Sequence, residues 1–115
     1  MARVPLRETV YINFTAGGAG TAKSGPISAR ETWYPDVASV KANAGSVTNE
    51  STCIISTGDV NTKNFRDSTV NGSSGDASDR VSGDVIKCGQ FVWADWTGGD
   101  ASVQAQLTVT GTKEV

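Results

Sequence analysis

The residues able to carry acid–base or nucleophilic chemistry are few and badly spaced. The 115-residue chain has no histidine, which removes Ser-His-Asp and Cys-His nucleophiles, imidazole metal ligands and the usual general base. Gly72-Ser73-Ser74-Gly75 lacks the G-x-S-x-G spacing of a nucleophile elbow and is expected as a loop. Two carboxylate pairs remain, Asp76 with Asp79 and Asp95 with Asp100. A glycosidase-type pair needs one member raised in pKa by burial, whereas these sit in Gly- and Ser-rich turns where water keeps both ionised. Asp59-x-Asn61 starts like a calcium loop. Lys63, Asn64 and Val70 then stand where the fifth, sixth and twelfth positions require an oxygen ligand, a glycine and a glutamate. The segment is better explained by Asx turns capping a hairpin. Gly17, Gly18 and Gly20 miss the dinucleotide-binding spacing, with no helix following to receive a phosphate. The chain is therefore expected to be no enzyme, with no catalytic residue, metal or cofactor.

Cys53 and Cys88, without histidine, cannot build an ordinary zinc site. They are expected as two buried, reduced thiols, with a disulfide across the sandwich as the alternative. The aromatics offer more. Phe91, Trp93 and Asp95 share one face of a strand-like run, and Val92, Ala94 and Trp96 share the other. One tryptophan is thus expected in the core and one at the surface. Trp33, Tyr34, Trp96 and Asp100 are the candidate interface or ligand-contact residues, by stacking on sugar rings or by anchoring a protein contact.

The elements that must position these residues are strands. Thr, Val, Ser, Gly, Ala, Asn and Asp dominate a chain with two leucines, and these types suit pleated strands and tight turns rather than helices. Alternation places Val10, Ile12 and Phe14 on one face of a run from Glu8 to Phe14. Further strands are expected over Ile27 to Tyr34, ended by Pro35-Asp36, then over Val37 to Ala42 and Thr52 to Ser56. A short one is anchored by Phe65 and Val70, and two more, Asp84 to Cys88 and Phe91 to Trp96, meet at Gly89-Gln90. The last run is the cleanest: Val103, Ala105, Leu107 and Val109 face inward and the intervening Gln and Thr outward. About seven to eight short antiparallel strands make an all-β fold, a β-sandwich or jelly-roll-like arrangement. Residues 1–115 form a single domain whose first 24 residues comprise an N-terminal arm, the first strand and a Gly-rich turn.

A formal charge of −2 without a basic run argues against a nucleic-acid partner. No apolar stretch approaches the about 18 residues of a membrane span, and the opening residues lack the apolar region of a signal peptide.

Several segments together resemble a known group. They are Gly25-Pro-Ile-Ser-Ala-Arg-Glu-Thr-Trp-Tyr-Pro-Asp-Val37, Asn64-Phe-Arg-Asp-Ser-Thr69 with Gly72-Ser-Ser-Gly-Asp76, Val92-Trp-Ala-Asp-Trp-Thr-Gly-Gly-Asp-Ala101, and Leu107-Thr-Val-Thr-Gly-Thr-Lys113. The chain after residue 24 resembles small β-rich virion proteins of tailed bacteriophages, particularly those infecting actinobacteria. That resemblance implies a multi-copy virion component, assembled in the host cytoplasm, either decorating the capsid or serving as a small tail or appendage subunit. Its partners would be capsid or tail proteins and copies of itself, with the N-terminal arm and unpaired sheet edges as contact elements. The alternative is a carbohydrate-binding or adhesin-like sandwich that contacts a host-surface glycan.

Overall fold

The computed structural model describes residues 3–43, 49, 51–69, 77–80 and 84–115. In chain order the strands are β1 (Arg3–Asn13), β2 (Gly20–Ser24), β3 (Thr32–Asn43), β4 (Thr52–Gly58) and β5 (Lys63–Thr69), followed by β6 (Ala77–Arg80), β7 (Ile86–Lys87), β8 (Phe91–Thr97) and β9 (Gln104–Glu114). One sheet runs β1-β9-β3-β6, with β7 also on β3, and the other runs β2-β8-β4-β5. Every pairing is antiparallel. The two sheets pack face to face as a β-sandwich, in agreement with the all-β expectation.

The core follows the alternation of the strands. Ala105, Leu107 and Val109 of β9 are fully buried, as are Ala38 and Val40 of β3. They face Cys53 and Ile55 of β4 and Val92, Ala94 and Trp96 of β8. Val10, Ile12 and Val103 are partly buried against this cluster, and Phe14 lies within it. The molecule is elongated, 48 × 26 × 20 Å, because the three long strands of the first sheet lie along one axis. At roughly 3.3 Å per residue, a 12-residue strand such as β3 spans most of that length.

Four boundaries differ from those expected. First, Pro35 does not end a strand, since β3 runs unbroken from Thr32 to Asn43. The register against β9 shifts between Pro35 and Val37, so a bulge at Asp36 absorbs the irregularity. Gly111 makes the bulge possible: it has φ 155°, and a Cβ there would strike the Tyr34 carbonyl. Second, residues 27–31 belong to a loop after Gly25-Pro26, closed by Glu31 N–H donating to the Ser28 carbonyl. Third, β2 was not expected. Its only inward side chains are Ala22 and Ser24, too small and polar to show an apolar period. Fourth, the expected N-terminal arm is strand. β1 is paired with β9 from Arg3–Glu114 to Asn13–Gln104, which leaves only its outer edge open.

The Asx-turn reading agrees with the geometry. Asp59 Oδ1 accepts the Asn61 and Thr62 N–H groups at 2.9 and 2.8 Å, capping the β4–β5 connection. Val70 and the Gly72–Asp76 segment lie outside the described residues.

Candidate functional site

The four expected contact residues are not brought together. Trp33 lies on the inner face of β3 and is only 3% exposed. Its indole N–H donates to Glu31 Oε1 at 2.6 Å, and Lys113 pairs with that same carboxylate oxygen at 3.5 Å. Tyr34 points to the opposite face and is half-buried; its hydroxyl donates to Glu114 Oε1 at 3.1 Å and the Arg3 guanidinium stacks 3.7 Å above its ring. Trp96 is a core residue, 1% exposed, tilted against Phe14 with ring centroids 5.9 Å apart. Its indole N–H has no hydrogen-bond partner among the described residues. Asp100 follows β8, where Oδ1 accepts the Asn49 backbone and side-chain N–H groups at 3.1 and 3.3 Å.

Trp96 is thus enclosed in the core, and Trp33 meets solvent only at the wall of the groove described below. The inward face of β8 had to be chosen between Phe91-Trp93-Asp95 and Val92-Ala94-Trp96, and the second set is the one facing the apolar sheet opposite. Nor do Asp95 and Asp100 form a pair. Asp95 accepts the Thr21 hydroxyl at 2.6 Å and the Lys63 ammonium at 3.3 Å on the outer face, while Asp100 is held by Asn49.

The outward-facing tryptophan is Trp93, yet it is only 6% exposed. Lys63 Nζ sits 4.2 Å from its ring centroid and Lys23 Nζ 5.5 Å away, while Phe91 packs edge-on at 5.4 Å. Its indole N–H donates to the Gly58 carbonyl at 2.9 Å. Two cations over one aromatic ring stabilise this surface, each by about 0.5–1 kcal/mol. They also close the ring to the stacking of a sugar.

A concave feature among the described residues lies elsewhere. A groove of about 490 Å³ opens on the flank where β1 and β2 are the edge strands. Val10, Trp33 and Phe91 form its apolar wall, Ile27 its lip, and Glu8 and Lys23 its charged margins. Ile27 is 96% exposed, so a branched apolar side chain stands in water at the mouth. Gly25, at the end of β2, lets the backbone pass close to Gln90, where a Cβ would run into the Gln90 carbonyl. Sequence reasoning missed this groove, although the exposed Ile27 after a rigid Gly25-Pro26 was its available signal.

The opposite flank carries β5, the other edge of the four-stranded sheet. Arg66 forms a bidentate pair with Asp84, Nε to Oδ2 at 2.8 Å and Nη2 to Oδ1 at 2.7 Å. The hydrogen bonds that Arg66 donates to Asp84 raise its pKa further above its already high value, holding the guanidinium charged. Phe65, beside it, is 62% exposed. The cysteines differ from the expected buried pair: Cys53 is buried, Cys88 is exposed at the β7–β8 turn, and they are not bonded to one another.

These elements define a small antiparallel β-sandwich with two unlike flanks. No protein-family model and no curated protein matches the sequence. The fold is similar to a solved structure of Bacillus endospore appendages, described as a family of disulfide-linked pili. The similarity covers 100% of this chain and 91% of that one, at 17% identity and a TM-score of 0.51. The likeness lies in the fold.

Proposed function

We propose that this chain is a non-enzymatic structural subunit of a multi-copy assembly, a virion component or appendage, joined by protein–protein contacts at the sandwich flanks. The observation that carries the reading is the fold likeness, over the whole chain, to a solved structure of Bacillus endospore appendages described as disulfide-linked pili. The edges of β1, β2 and β5, unpaired among the described residues, and the exposed Ile27 and Phe65 support it, since open edges and apolar side chains in water are the usual raw material of subunit contacts. The β1 edge is blunted by Pro5 and by Arg3, Arg7 and Glu8, which directs contacts to the four-stranded sheet. The resemblance of the segments after residue 24 to tailed-phage proteins favours a virion, whether in capsid decoration or in the tail. The glycan-binding alternative is weakened by the closure of Trp93 under two lysines and by the burial of Trp33 and Trp96.

Mass spectrometry of purified particles from the producing culture tests this directly. The chain is expected in them at many copies per particle, and its absence from every particle fraction would reject the virion assignment.

A further inference from the structure

We infer that the outward face of the sheet β1-β9-β3 binds an acidic polysaccharide, laid across Tyr11 between Arg7 and Lys41. The inference goes beyond the subunit reading above: it concerns what the assembled particle holds, and it uses none of the tryptophans. β9 lies between β1 and β3 in this sheet. Its residues Ala105, Leu107 and Val109 are fully buried, which turns Gln106, Thr108 and Thr110 outward. The register carries the same sidedness to the neighbours: Arg7 stands opposite Thr110, Thr9 opposite Thr108, and Tyr11 and Lys41 flank Gln106. The hydroxyls of Thr9 and Thr108 meet at 2.9 Å on this face.

Charge and composition choose the occupant. Arg7 and Lys41 are exposed and make no ion pair among the described residues. No Asp or Glu shares their rows: Glu8 falls on the inward row opposite Val109, and Asp36 sits in the bulge beyond Thr110. The chain as a whole has a formal charge of −2, so this face stands apart from it in sign. An anion here meets two unpaired cations with no competing carboxylate in the rows between them. Tyr11, 59% exposed, offers a ring to the apolar face of a sugar, and Gln106 offers amide hydrogen bonds to its hydroxyls. Arg7 and Lys41 are two strands and four residues apart, roughly 16 Å between Cα atoms, so a sparsely charged polymer crossing the face meets both. A nucleic acid, with a phosphate at every residue, demands a denser basic surface. An acidic peptide is recognised through pockets for alternate side chains, whereas the groove described above opens on the flank.

The test is native electrophoresis of the full chain through gels containing polygalacturonate or hyaluronan, with dextran as the neutral control. Retardation by an acidic polymer and none by dextran is the expected result for the wild type. The double variant Arg7→Gln, Lys41→Gln and the single variant Tyr11→Thr should each bind at least tenfold more weakly. Lys23→Gln, on the other sheet, should bind like the wild type. Circular dichroism checks that these exposed-site variants stay folded, and threonine keeps the strand preference at position 11. No retardation of the wild type by either acidic polymer would overturn the inference. Equal losses in Lys23→Gln and in the double variant would reduce binding to diffuse charge and overturn the site. Single-stranded DNA bound as tightly as polygalacturonate would overturn the choice of a polysaccharide.

Discussion

Lys63 lies 4.2 Å above the Trp93 ring while its ammonium pairs with Asp95 at 3.3 Å, so one side chain both roofs the outward tryptophan and neutralises the neighbouring carboxylate. Lys63→Ala removes the roof and leaves Asp95 with the Thr21 hydroxyl. The expected outcome is a loss of about 0.5–1 kcal/mol in unfolding free energy and faster acrylamide quenching of tryptophan fluorescence. Unchanged quenching would show that the lysine does not cover the ring.

Trp96 is the largest fully buried side chain, packed on Phe14 at the end of the sandwich away from Trp33. Trp96→Ala is expected to cost about 3–5 kcal/mol in chemical denaturation, the range for emptying a core aromatic site. Trp96→Phe removes the unpartnered indole N–H along with part of the volume, so its cost is expected to be clearly smaller. Equal costs for the two variants would contradict the packing role.

The two cysteines are expected to react at very different rates. Cys88 is exposed at a turn, its Sγ 3.4 Å from the Ile27 carbonyl, and Cys53 is fully buried in β4. Native protein should take up one equivalent of iodoacetamide, mapped by peptide mass to Cys88, and the second only after denaturation. Rapid native labelling of Cys53 would contradict the core described above.

The Arg66–Asp84 bridge joins β5 to the segment preceding β7 in the other sheet. Its side chains are 35% and 17% exposed, so a double-mutant cycle of Arg66→Ala with Asp84→Ala is expected to give a coupling of at most about 1 kcal/mol. The Arg66 pKa is raised in the folded state. The stabilisation it carries is therefore complete below the unfolded arginine range and is lost only as pH climbs through the folded value, so this coupling should stay constant between about pH 7 and pH 9. A coupling that falls across that window would place its origin elsewhere.

Where inward and outward residues differ in chemistry, the strands were legible from the sequence. Val103, Ala105, Leu107 and Val109 alternate with Gln and Thr, and Val10, Ile12 and Phe14 with Thr, Tyr and Asn; both faces were assigned as the structure has them. Trp93 and Trp96 were separable to opposite faces by the same alternation, but both faces of β8 carry large apolar side chains, so which one is core depends on the sheet opposite. β3 was split because proline usually punctuates a strand, and the bulge that accommodates Pro35 depends on Gly111, 76 residues further on. The groove was invisible for a related reason: its wall comes from β1, β3 and β8, distant in sequence, and its lip from a loop.

The central claim is that this sandwich is a building block that associates with copies of itself. Sedimentation velocity of the purified full chain over a hundredfold concentration range measures this most directly. The account predicts a sedimentation coefficient that rises with concentration toward a multi-copy species, whereas a single 11.9 kDa boundary at every concentration would contradict it.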